Sequence, residues 1–147
     1  MTEEERVLAV LEGKIPDKVP HFELDFQLFQ EAVGVDMPYT YGRGPEEADE
    51  IRDVFLEGWE RVMEKYHWAA IPVNCNYLIA DAKRRFGDRA AVFCYNGDGT
   101  FWMPSGDKIM DFVIDLYEHP EDLHQQAKKK CRDAIELAKM QADAGTD

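Results

Sequence analysis

The feature that most constrains this chain is a change of hydrophobic period between residues 45 and 73. Pro45, Glu46 and Glu47 have the makings of a helix start, with proline in the first turn and two carboxylates placed for the macrodipole. The stripe Ile51, Val54, Phe55, Trp59, Val62 and Tyr66 follows at helical spacing and predicts a long amphipathic helix. Directly after it, Trp68 to Val73 is an apolar run of strand length, although Pro72 within it cannot donate to a ladder. A second period-two run lies upstream, from Val19 to Phe26. There Phe22, Leu24 and Phe26 alternate with His21, Glu23 and Asp25, which predicts a strand. Ala90 to Tyr95 is a third apolar run. Short strands alternating with long amphipathic helices indicate α/β architecture, with a parallel sheet built from βαβ units.

The remaining segments fit around this frame. Thr2 and Glu5 have capping-box spacing, and Val7, Leu8 and Leu11 form the stripe of a short first helix stopped by Gly13 and Pro16. Asp36 to Pro45 is rich in turn residues, and Asp81 to Gly87 reads as a short polar helix. Ser105 is placed to cap a helix with the stripe Ile109, Phe112, Val113, Leu116 and Tyr117. His119 and Pro120 open the last helix, with Leu123, Ala127, Cys131, Ala134 and Ala138 inward and Lys128 to Lys130 outward or flanking; Ala144-Gly145 ends it. A hairpin across Asn96-Gly97, pairing the third run with Thr100 to Met103, is the rival local arrangement.

Charge narrows the function classes. The 147 residues carry 17 Lys plus Arg against 30 Asp plus Glu, a net charge of −13. Non-specific nucleic-acid binding and anionic-membrane binding both need a positive field, so neither is expected. No apolar run reaches the roughly 18 residues of a membrane span, and the acidic start (Glu3, Glu4, Glu5) is unlike a signal peptide. Cys75, Cys94 and Cys131 are odd in number and form no CxxC pair, which fits a reduced cytoplasm and supplies neither a disulfide frame nor zinc-finger spacing.

Three helix-covered strands leave a sheet edge unpaired, and Thr146-Asp147 is placed to lead from the last helix back towards the sheet. A closed (βα)8 barrel takes about 250 residues. The expected fold is therefore the N-terminal part of a (βα)8 TIM barrel, roughly three βα units plus an extra N-terminal helix. No linker or repeat divides residues 1–147, which are read as one incomplete barrel domain. A complete small α/β domain is the plainer alternative.

Four segments carry a family resemblance. They are Glu5-Arg6-Val7-Leu8-Ala9-Val10-Leu11-Glu12-Gly13 with Pro16-Asp17-Lys18-Val19-Pro20; Asp98-Gly99-Thr100-Phe101-Trp102-Met103-Pro104-Ser105-Gly106; Asp115-Leu116-Tyr117-Glu118-His119-Pro120; and Ala138 to Asp147. In this order they resemble the leading portion, somewhat under half, of a uroporphyrinogen decarboxylase superfamily protein. The resemblance implies a (βα)8 barrel and two chemistries. True decarboxylases remove carboxylate from the acetate arms of a tetrapyrrole; their relatives move methyl groups between corrinoid proteins, methylated substrates and thiols, often with a zinc-activated thiolate. The decarboxylases grip carboxylates with two arginines after the first strand, where the matching positions here are Asp25 and Phe29. They also carry an aspartate at the end of the second strand, matched here by about Cys75. An acidic group where a polycarboxylate docks would repel it. Corrinoid-linked methyl transfer from a small methylated substrate is therefore the first reading, and uroporphyrinogen decarboxylation the second.

The barrel rule, under which chemistry sits at the C-terminal ends of strands, selects the candidate residues. Glu23 and Asp25 are the catalytic candidates. If their face lines the interior, desolvation and mutual repulsion would raise a carboxylate pKa and suit it to acid or base work. The alternative is an exposed strand face. His21, Asn74, Asn76, Tyr77, Asp98 and Trp102 are substrate-binding candidates: the amides and phenol can hydrogen-bond without adding charge, and Trp102 offers a flat face to a planar ligand. Turn chemistry explains the asparagines equally well.

No metal ligand is assigned, because His119 and His124 are five apart and do not share a helix face. The resemblance places zinc ligands late in the parent chain, beyond Asp147, and makes a corrinoid protein the partner of the whole enzyme. This portion is expected to bind no cofactor of its own and to be inactive alone, since most of the barrel mouth would be absent. Two other functions compete: a non-catalytic truncated barrel that pairs with another chain, including a second copy, and a small-molecule binder built on the Trp102 loop.

Overall fold

The computed structural model describes residues 1–96 and 103–147 of the chain. The 97–102 stretch, with Asp98, Trp102 and most of the rival hairpin's return strand, lies outside the described residues. The chain divides into two compact units, residues 1–95 with 141–147, and residues 96–140.

The first unit is built on a small parallel sheet. Strands β1 (Ala70–Pro72) and β2 (Ala91–Phe93) pair in the register Ala70 with Ala91, Ile71 with Val92 and Pro72 with Phe93. Val73 N–H donates to the Phe93 carbonyl at 2.8 Å, and in a parallel ladder alternate residues bond the same neighbour. Pro72 therefore stands at a position that owes β2 no donor. The parallel pairing expected from the βα alternation is present, in an architecture that is otherwise mostly helical.

Helix α1 (Glu3–Leu11) is capped as its spacing predicts: Glu5 N–H donates to Thr2 Oγ1 at 3.1 Å, and Thr2 N–H donates to the Glu5 carboxylate at 2.8 Å. It packs against both strands through a face that includes buried Ala9. Helix α3 (Pro45–Tyr66) is the predicted long helix, with Glu47 reaching back to the Gly44 N–H at 3.0 Å. Its stripe buries Phe55, Trp59, Val62 and Met63 against Trp68, Ile71 and Val73. Helix α4 (Ile79–Phe86) closes the same core with Ile79, Ala82 and Phe86.

The short α2 (Phe29–Val33), absent from the sequence reading, packs on α3 at Gly58. A Cβ on Gly58 would run into Met37 Cε and approach Val35 Cγ1 to 3.3 Å, so the close approach requires glycine or a shift of Met37. Phe26, Phe29, Trp59 and Trp68 join through edge-on and tilted ring contacts at 4.8–5.7 Å.

Val19 to Phe26 departs from the expectation, for it forms no strand and bends at Leu24-Asp25. Its backbone tie beside β1 is the hydrogen bond from Ala69 N–H to the His21 carbonyl at 2.9 Å. Alternation marks which residues share a side, but a strand also needs a continuous ladder, and Pro20 removes one donor at its start. Phe22 still packs on Phe93, with centroids 5.3 Å apart, and Tyr95 Oη–H donates to the Leu24 carbonyl at 3.3 Å. On the opposite edge of the pair, Asp147 N–H donates to the Val92 carbonyl and its carboxylate accepts from Val92 N–H, each at 2.9 Å. Lys83 joins Asp147 and Glu4 at 2.5 and 2.9 Å. Burial opposes the Lys83 charge, but Asp147 and Glu4 outweigh it and hold the ammonium above its ordinary value.

The second unit contains α5 (Lys108–Glu118) and most of α6 (Pro120–Ala144). The cap of α5 is Asp107 rather than Ser105, with no side-chain hydrogen bond. No residue of α5 is buried. The expected inward face of α6 is only half-buried at Leu123, Ala127 and Ala134, and exposed at Cys131 and Ala138. The buried residue of α6 is Gln141, in its final turn and within the first unit. Among the described residues no helix is long and apolar enough to cross a membrane.

Candidate functional site

Beyond the C-terminal end of β1, the first unit holds a cleft of about 340 Å3. Residues 24–27 and Phe29 line it from the bent segment and α2, residues 37–41 from the loop before α3, Phe55 and Trp59 from α3, and Pro72 and Asn74 from the end of β1. The bend at Leu24-Asp25 is thus what carries Asp25 to the cleft. Phe29, Phe55 and Trp59 are buried members of the lining, while Tyr39 and Tyr41 are exposed members of it. The lining is aromatic on several sides and, among the described residues, carries a single charged residue, Asp25.

Two polar groups give the cleft its chemistry. Gln27 Nε2 donates to Asp25 Oδ2 at 2.9 Å and orients the carboxylate. Asn74 is half-buried, and its Oδ1 is, among the described side chains, the buried polar atom with no hydrogen-bond partner. A buried carbonyl oxygen without a donor costs about 1–3 kcal/mol, so its placement at a cleft wall calls for a donor.

The sequence candidates are distributed unevenly around this cleft. Asp25 and Asn74 both line it. His21 and Glu23 are exposed and do not, so the pairing of Glu23 with Asp25 as desolvated carboxylates lacks the burial it needs. Asn76 accepts from Gln141 Nε2 at 3.0 Å, and the same nitrogen donates to the Tyr95 carbonyl at 3.0 Å, which is a structural use of the amide. Tyr77 is exposed outside the cleft lining. Asp98 and Trp102 fall outside the described residues. Gln27, Tyr39, Thr40 and Tyr41 line the cleft without having been singled out, although Tyr39-Thr40-Tyr41 inside a turn-rich stretch was the available signal.

Neither thiol of the first unit is set up as a nucleophile. Cys75 is buried, with its Sγ 4.0 Å from the Arg43 carbonyl, and burial pushes the Cys94 thiol up. A second groove, of about 490 Å3, runs along Asp53, Glu57, Glu60, Glu64, Arg61 and Arg85. Its charges are largely spent on one another: Arg61 pairs with Glu57, and Glu60 with Arg85 and Arg89. Arg85 first, then Arg89, holds the Glu60 carboxyl below its ordinary range. Among the described residues no three His, Cys, Asp or Glu converge to hold a metal ion. No protein-family model, curated protein or solved structure matches the chain.

Proposed function

We propose that this chain is the opening portion of a uroporphyrinogen decarboxylase-like (βα)8 barrel, from the branch that carries out corrinoid-linked methyl transfer from a small methylated substrate. The observation that carries the reading is the set of backbone bonds on the two edges of the parallel pair. His21 accepts from Ala69 beside β1, and Asp147 donates to Val92 beside β2. The order His21 segment, β1, β2, Asp147 is the order in which successive strands of a βα barrel lie. The position of the cleft supports the same reading, since it opens where β1 ends and barrel chemistry is found at that rim.

Asp25 is the substrate-facing carboxylate of this reading, and Asn74 its neutral acceptor. A carboxylate in the cleft disfavours a polycarboxylate ligand, which weighs against uroporphyrinogen decarboxylation. Zinc and the corrinoid belong to the parent enzyme in this reading.

The test uses the protein expressed from its own reading frame, with cob(I)alamin and a panel of methylated amines, ethers and thioethers. Formation of methylcob(III)alamin, followed by its absorbance, is the expected result. Conversion of uroporphyrinogen to coproporphyrinogen, or failure of every methyl donor, overturns the reading.

A further inference from the structure

We infer that the cleft beyond β1 binds a small organic ammonium ion that carries an N–H and an apolar body. Three observations meet there. Among the described residues the lining contains one carboxylate, Asp25, and no lysine, arginine or histidine, so a cation is favoured and an anion repelled. The wall includes the faces or edges of Phe26, Phe29, Tyr39, Tyr41 and Trp59, and aromatic rings attract cations as well as apolar carbon. Asn74 Oδ1 is a buried acceptor with no donor, which an ammonium N–H can satisfy and a quaternary ammonium cannot.

The size is consistent with more than a bare ammonium. A cleft of about 340 Å3 falls at the lower end of ligand pockets, large enough for one aromatic or branched alkyl group beside the charged nitrogen. The apolar body lies against the aromatic residues and the nitrogen between Asp25 and Asn74. Asn74 lines the cleft, and its χ2 is a broad, roughly two-fold torsion, so the contact we infer is one made by turning the amide towards the ligand. This deepens the methyl-transfer reading by naming the chemistry of the substrate; it rests on that reading for the reaction but not for binding.

Calorimetry on the wild-type protein tests it with four probes of similar shape: N-methylphenethylammonium, phenethyltrimethylammonium, phenethyl alcohol and phenylacetate. The secondary ammonium should bind at least about tenfold more tightly than the alcohol, and phenylacetate should not bind. Asp25→Asn should weaken both cations by about tenfold, and Asp25 is exposed, so the variant keeps the fold. Asn74→Ala should weaken the secondary ammonium while leaving the trimethyl analogue unchanged. Phenylacetate binding as well as the ammonium, an Asp25→Asn variant of undiminished affinity, or equal losses for both cations in Asn74→Ala would each overturn the inference. Ammonium binding without methyl transfer to cob(I)alamin sinks the reaction alone, whereas methyl transfer from a neutral donor with no ammonium binding sinks this inference alone.

Discussion

Helices α3 and α5 carry equally plain apolar stripes, yet they end in different surroundings. On α3, Trp59 is 4% exposed and Val62 fully buried, whereas on α5 Val113 is 49% and Leu116 56% exposed. The difference teaches that an amphipathic stripe specifies a helix and the side it offers, but not that anything covers it. For α3 the cover comes from a parallel pair of strands, Trp68, Phe26 of the bent segment and Phe29 of α2, all within one compact unit.

The largest way to break this comparison is Trp59→Ala. Trp59 touches Phe29, Phe55 and Trp68, and removing it should cost about 3–5 kcal/mol in urea unfolding. A loss below about 1 kcal/mol would mean that α3 is no better buried than α5. Next comes Gln141→Ala, which strips the final turn of α6 of its donor to Asn76 and Tyr95. It should cost about 1–3 kcal/mol, while Ala138→Ser, one turn earlier on the exposed face, should be nearly neutral.

A pH series sharpens the picture on the solvent side of α3. Glu60 is depressed in the folded state by Arg85 and Arg89. A depressed carboxylate contributes stability above its unfolded value, about 4.3, and loses it as pH falls through the folded value. Wild type should therefore exceed Glu60→Gln in stability at neutral pH, and the gap should close in acid; a gap that is constant with pH refutes the ion pair. Smallest of all, Leu116→Ala on α5 should change stability by no more than about 0.5 kcal/mol. A loss of several kcal/mol there would show that α5 is buried in solution.

Local chemistry made much of the fold legible. The Thr2–Glu5 box, the Pro45-Glu46-Glu47 start and the Trp59 stripe each act within a few residues, so α1 and α3 could be read directly. The parallel pairing of the second and third apolar runs followed from the helix between them. Val19 to Phe26 could not be read this way, because alternation is a property of the segment while a ladder is a property of its neighbours.

The site divides along the same line. Asp25, a polar alternate near the end of the Val19–Phe26 run, and Asn74, just after the second apolar run, both line the cleft. Tyr39, Thr40 and Tyr41 were missed, since a turn-rich stretch says nothing of where its loop folds back. Asn76 was chosen on the same ground as Asn74, but Gln141, 65 residues away, claims its amide.

By itself the sequence determined the acidic character of the chain, helices α1 and α3 with their starts, and the parallel sense of the sheet, because each depends on composition or on contacts a few residues apart. Only the tertiary structure decided which of two similar stripes is covered, which asparagine keeps an unanswered oxygen and which carboxylate faces the cleft. Those outcomes turn on groups that meet in space after tens of intervening residues, and side-chain spacing along the chain carries no record of such meetings.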